Sequence, residues 1–241
     1  MTRTSSWSYS RLITFEQCRY RYKLKHFDRI PEEKAPAADR GTAIHQMAED
    51  FVTDKLKSLP TELLKFADDF NALRNRYKEK LVDVEQEWGF DKHWQPHEYK
   101  YAWLRMKADA VAFNPQRTQA IVIDYKTGAK WGNEIKHAEQ TQLYALATAI
   151  REPRVTTIIT ELWYLDKDDM SSNTYTREQA MRFIPGFDKR ARKIDDAKEF
   201  GPNPNMFTCK WCPYGPNKGG QCPHGVTESN MSISDYRKKF L

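Results

Sequence analysis

Ala120-Ile121-Val122-Ile123-Asp124-Tyr125-Lys126-Thr127-Gly128 is a short apolar run of β-branched residues that ends on an acid, a lysine and a glycine. A run of this length and composition, bounded by a turn signal, predicts a buried strand. Just upstream, Met106 to Phe113 alternates, with Ala108, Ala110 and Ala112 on one side and Asp109, Val111 and Phe113 on the other. Asn114-Pro115 between the two runs is a turn signal, so the pair predicts adjacent strands. His97 to Leu104 also alternates, with Tyr99, Tyr101 and Trp103 on one face, and predicts a further strand.

Downstream of the central run, Gly128 and Gly132 bracket a loop. A helix is expected from about 134 to 150, a strand from 155 to 165, and a helix from 177 to 199 that Pro185-Gly186 breaks or kinks. Upstream, Ser10 is an N-cap candidate for a helix running to about Phe27. A second helix follows Asp39, with Ile44, Met47, Ala48, Phe51 and Val52 as its apolar stripe. Pro60 opens a third, long helix to about Trp88. The order α-α-α-β-β-β-α-β-α predicts an α/β fold with a mixed sheet flanked by helices. One domain is expected over residues 1–225: a helical part over 1–95, an α/β core over 96–200 and a cysteine-rich segment over 201–225. A polar tail follows over 226–241.

The 241 residues are 39% hydrophobic and 30% charged, which excludes a disordered chain. No stretch approaches the roughly 18 apolar residues of a membrane span, and the N-terminus lacks an apolar signal region, so a cytoplasmic protein is expected. The net charge of +6 permits a polyanionic partner without requiring one. Basic residues gather at Arg19, Arg21, Lys23, Lys25 and Arg29, and again at Lys189, Arg190, Arg192, Lys193 and Lys198.

Acids inside apolar strands are unfavourable unless they are paired or bound to a metal. Asp124 and Lys126 project from the same strand face, and an antiparallel neighbour can bring Asp109 beside Asp124. Two carboxylates and an ammonium in one cleft suit phosphodiester hydrolysis with Mg²⁺ or Mn²⁺, held by hard oxygen ligands. A buried ion pair at a strand end explains an isolated Asp-x-Lys more simply. Glu98, ahead of Asp109, is a further acid that an exposed strand position explains as well.

The four cysteines are Cys18, Cys209, Cys212 and Cys222. In a reducing compartment such a set points to metal binding rather than disulfides. The segment from Gly201 to Gly225 has too little apolar content for an ordinary core, so something else must order it. One alternative is a zinc site of Cys209, Cys212, Cys222 and His224, with Cys18 as a core thiol; another is four unliganded thiols.

Asp109 followed by Asp124-Tyr125-Lys126-Thr127-Gly128 resembles the PD-(D/E)XK pattern of RecB-like nucleases. Gly41-Thr42-Ala43-Ile44-His45 is similar to that family's upstream Gly-x-x-x-His motif, and Gln140-Thr141-Gln142-Leu143-Tyr144 to its downstream Gln-x-x-x-Tyr motif. Ser8 to Leu12 and Phe15 to Cys18 resemble its opening. The similarity runs from Ser8 to Cys222. Lys107 falls in the stretch where related sequences often carry a glycine.

The resemblance implies a restriction-endonuclease-like core in which His45, Asp109, Asp124 and the Tyr125 carbonyl bind metal and Lys126 assists the attacking water. Gln140 and Tyr144 are implied to lie against the lysine and the DNA phosphate. One cysteine before the core and three after it resembles the AddB-type and CRISPR-associated subset, which implies a structural [4Fe–4S] cluster on Cys18, Cys209, Cys212 and Cys222. The implied activity is exonucleolytic hydrolysis of DNA ends, with single-strand preference. A helicase or a recombination or CRISPR protein is the implied partner, and the cytoplasm (a host's, for a phage-encoded chain) the compartment. Trp131, in the loop after Lys126, is a base-stacking candidate. The rival readings are a non-catalytic DNA-binding or scaffolding module of the same fold and a zinc-stabilised RNA-binding protein.

Overall fold

The structure is a computed structural model that describes residues 6–32, 36–128, 130 and 132–227, with the side chains of residues 36 and 37 left out. Trp131 and residues 228–241 of the expected tail lie outside the described residues. The chain divides into two compact units, one of residues 1–9 and 35–190, the other of 10–34 and 191–241.

The first unit is built on a six-stranded sheet, β1 (Val82–Phe90), β2 (Pro96–His97), β3 (Leu104–Phe113), β4 (Gln119–Lys126), β5 (Thr157–Tyr164) and β6 (Asp169–Thr176), in the order β2-β1-β3-β4-β5-β6. Only β4 and β5 pair in parallel, and the crossover between them is α5 (Glu134–Arg151). This is the mixed, helix-flanked α/β sheet expected from the sequence.

Alternation along β4 decides what each face meets. Ile123 and Tyr125 join a core with Ile44, Phe51, Phe70 and Trp163, formed with α3 (Pro36–Val52) and α4 (Ala67–Lys78). Phe66 stacks on Trp163 at 5.3 Å within it. Asp124 and Lys126, on the other face, meet α5, whose Leu143, Tyr144, Leu146 and Ala147 are buried. Burial on both faces is why β4 carries no polar residue from Ala120 to Ile123.

Several expected boundaries shift. The long helix from Pro60 is a 3₁₀ segment (Thr61–Phe66) followed by α4, and the chain turns at Lys80, whose φ is 61°. Val82 to Phe90 is therefore strand β1, not the end of a helix. The expected strand over 97–104 reduces to the two residues of β2 and a 3₁₀ turn, Tyr99–Tyr101. That turn leaves Tyr101 exposed while Trp103 packs edge-on against Trp7 and Trp94. Strand β6 was not expected, because an edge strand with a wet face carries almost no apolar signal. The expected helix over 177–199 is α6 (Arg177–Met181) and α7 (Ile184–Asp195), with Pro185 in the first turn of α7, where a missing N–H does no harm.

In the second unit the expected helix to Phe27 is two helices, α1 (Tyr9–Gln17) and α2 (Arg19–His26), broken at Cys18, whose φ and ψ are −160° and 110°. The later segment holds one short helix, α8 (Met206–Cys209), capped by the Asn205 side chain on the Thr208 N–H. Among the described residues, no helix is long and apolar enough to cross a membrane.

Candidate active site

Strand pairing assembles the site. The β3–β4 ladder runs antiparallel from Phe113↔Ala120 to Ala110↔Ile123, where the regular pairs stop. One step further on, Asp109 and Asp124 would face each other. Asp109 instead turns its own carboxylate into the gap, and its Oδ2 accepts the Tyr125 N–H at 2.6 Å. The two acids predicted from the sequence are thereby held at the splayed end of one strand pair.

Helix α3 brings in His45, whose Nδ1 lies 3.1 Å from Asp109 Oδ1. Four residues earlier, a Cβ on Gly41 would stand 2.9 Å from Thr127 Oγ1, so a larger residue there would push the Thr127 side chain aside in the loop after Lys126. Arg40 and the Gly128 N–H both bond Asp166 beyond β5, which pins that loop.

Helix α5 supplies the other wall. Gln140 and Tyr144 share a face one turn apart. The Tyr144 hydroxyl lies 2.6 Å from Asp124 Oδ1 and 3.1 Å from the Lys107 carbonyl. Gln140 donates to the same Asp124 oxygen at 3.3 Å and accepts from Lys126 Nζ at 2.9 Å. Lys126 Nζ also lies 2.5 Å from Asp124 Oδ2. Tyr144 is buried against the acid, so it acts on Asp124 rather than facing the cleft. His137, one turn ahead of Gln140, meets the Tyr164 hydroxyl at 2.8 Å; burial and then the Lys126 charge lower its pKa.

Burial raises the Asp109 pKa; the His45 hydrogen bond opposes this and the Asp124 charge adds to it. Burial alone would lower the His45 pKa, but the hydrogen bond and charge of Asp109 raise it. Both shifts favour a proton held between the two side chains, which a cation bound there would displace.

The donor set fits such a cation on two observations. Asp124 is only 6% exposed, and its Oδ2 has no hydrogen-bond partner despite the nearby ammonium. Ligand atoms of His45, Asp109 and Glu85 all lie within 4.8 Å of one another. Glu85 is not legible in the sequence, because Val82 to Trp88 reads as the end of the helix that opens at Pro60. Glu98, by contrast, lies exposed between β2 and the 3₁₀ turn. His45, Glu85, Lys107, Asp109 and Thr127 line one open cleft.

In the second unit, Cys18, Cys209, Cys212, Cys222 and His224 line a single small cavity. Two hydrogen bonds shape it: Cys222 N–H donates to the Tyr214 carbonyl at 2.9 Å, and the Tyr214 hydroxyl donates to the Ile30 carbonyl at 2.7 Å. A Cβ on Gly220 would fall 2.2 Å from the Tyr214 carbonyl carbon, so this turn requires glycine. Burial raises the thiol pKa of Cys212 and of Cys222. Much of the nearby basic charge is already matched, Arg21 and Lys25 by Glu32 and Lys23 by Asp28.

Among solved structures, the crystal structure of SSO0001 is similar at 16% identity, with 94% of this chain and 90% of that one covered and a TM-score of 0.42. No match to a curated protein was found. The sequence profile of the PD-(D/E)XK nuclease superfamily matches residues 6–216, a span that holds the acids, the lysine, His45 and the Gln140–Tyr144 pair. The chain belongs to the PD-(D/E)XK nuclease superfamily.

Proposed function

We propose that the protein is a metal-dependent DNA exonuclease of the RecB-like type, acting on DNA ends with a preference for single strands. The observation that carries this reading is the joined set of acids and lysine: Asp124 is fixed through Oδ1 by Tyr144 and Gln140 and ion-paired through Oδ2 with Lys126, and Asp109 is held by His45 and the Tyr125 N–H. Asp109, Asp124, His45 and the Tyr125 carbonyl would hold Mg²⁺ or Mn²⁺. A bound divalent cation supplies Lewis acidity toward the phosphate and lowers the pKa of its water. Lys126, steadied by Gln140 and Asp124, presents an ammonium that orients the attacking water and stabilises charge developing on the phosphate. Tyr144 and Gln140 are positioning residues, since they touch the acid and the lysine.

A [4Fe–4S] cluster on Cys18, Cys209, Cys212 and Cys222 belongs to the same proposal, as a structural tie that orders the Gly/Pro-rich segment. Cys18 shares the cavity of the other three cysteines, so four thiolates are available there without His224, which lines the same cavity.

The test is degradation of end-labelled single- and double-stranded DNA in Mn²⁺ or Mg²⁺, with wild type beside Lys126→Ala. Metal-dependent loss of label by wild type alone, at least about 100-fold faster than the variant, supports the reading. Equal cutting by both refutes the site. DNA binding without cleavage by wild type favours the scaffolding module, and cleavage of RNA alone favours the RNA-directed reading.

A further inference from the structure

Glu85 has no part in the mechanism above, yet the fold delivers it to the metal cleft. Strand β1 pairs with β3 at Val84↔Ala110 and Gln86↔Ala108, and the pair between them is missing. The two residues left out are Glu85 and Asp109. Glu85 takes a φ of 52°, in the left-handed region that suits glycine, and the strand is regular again at Gln86. The Glu85 carboxylate thus comes within 4.8 Å of the His45 and Asp109 ligand atoms.

This carboxylate already has a cation. Lys107, on β3 and two residues before Asp109, forms a close ion pair with Glu85 Oε2, and its side chain is 49% exposed. A divalent ion among His45, Glu85 and Asp109 would place two positive charges beside that ammonium. Like charges at such separations repel strongly even at the dielectric of a protein surface. Lys107 and the ion therefore compete for one carboxylate, and the half-exposed lysine is the one free to leave. Asp124, more than nine-tenths buried, makes no hydrogen bond through Oδ2 and is ion-paired there with Lys126, so its charge is already matched where that of Glu85 rests on a half-exposed lysine.

We infer that Glu85 is a further ligand of the divalent cation and that Lys107 is its exchangeable counter-ion, displaced from Glu85 when the cation enters. The inference rests on the metal-dependent reading of the site and adds to it a residue and an exchange.

Mn²⁺ binding without DNA, followed by the electron paramagnetic resonance of free Mn²⁺, tests it. Glu85→Gln should weaken binding on the order of 10–100-fold. Glu85→Gly suits the left-handed backbone, so it removes the carboxylate without straining the strand, and should weaken binding as much. Lys107→Met should tighten binding in the wild-type chain and change nothing when combined with Glu85→Gln. Wild-type affinity in both Glu85 variants overturns the inference. So does equal tightening by Lys107→Met in the two backgrounds, which would mark a general charge effect and not an exchange. Asp109→Asn separates the layers: if it abolishes binding while the Glu85 variants bind normally, only the inference fails. If Asp109→Asn also binds normally, or wild type binds no Mn²⁺, the metal reading of the site fails with it.

Discussion

The Tyr144 hydroxyl donates to Asp124 Oδ1 at 2.6 Å, with both side chains buried. Gln140 reaches the same oxygen from one turn earlier on α5, and its own amide oxygen accepts from Lys126. One carboxylate oxygen is thereby held by α5, and the other faces the Lys126 ammonium at 2.5 Å. Helix α5 positions the acid and the lysine together.

Tyr144→Phe should therefore act on metal binding before anything else. The ring still fills its place, while Asp124 Oδ1 keeps only the longer Gln140 bond. Losing a buried hydrogen bond of this kind costs about 1–3 kcal/mol, and loosening a group that orients a ligand lowers metal affinity roughly 10–100-fold. Isothermal titration with Mn²⁺, beside a thermal melt, reads both quantities. Unchanged affinity in a destabilised variant would reduce Tyr144 to a packing role.

Much of this site was legible in the sequence because its residues sit where periodicity is strong. Asp124 and Lys126 end a strand buried on both faces, so their polarity stands out against Ile121, Val122 and Ile123. Gln140 and Tyr144 lie on a long helix with a buried stripe, where a four-residue spacing means one face. Glu85 was hidden for the opposite reason. Strand β1 is half-buried through Asp83, Val84, Glu85 and Gln86, alternates weakly and follows a helix, so helical periodicity seemed to continue through it. The break at Cys18 was hidden likewise: Leu12, Phe15 and Tyr22 keep helical spacing across a residue whose backbone is extended.

That break bears on the second unit. The extended backbone at Cys18 turns the chain between two helices, while its N–H still donates to the Thr14 carbonyl and its carbonyl accepts from the Tyr22 N–H, and Cys18 lines the same cavity as Cys209, Cys212 and Cys222. Cys18→Ala should abolish the visible absorbance and iron content of anaerobically purified protein, while His224→Ala leaves both in place. The opposite pattern, zinc retained in Cys18→Ala and lost in His224→Ala, would identify a zinc site of three cysteines and one histidine.

His26 should make the same unit sensitive to acid. Its ring packs on Tyr22 at 4.7 Å, and its pKa is lowered from 6.5 to about 4 by burial first, then by the charges of Arg11 and Lys25, against a smaller opposing effect of Glu32. The folded chain thus holds His26 neutral where the unfolded chain protonates it. Between about pH 6.5 and 4 the unfolded state binds more protons, so stability is fully present above that window and falls as pH is lowered through it. His26→Gln cannot take up the proton and should lose less stability across the same window. Urea midpoints of wild type and variant from pH 7.5 down to 4 measure the difference, which cancels the carboxylates that both proteins titrate. Parallel declines would mean that His26 is not held neutral in the folded chain and that its neighbours, not its burial, govern the acid sensitivity.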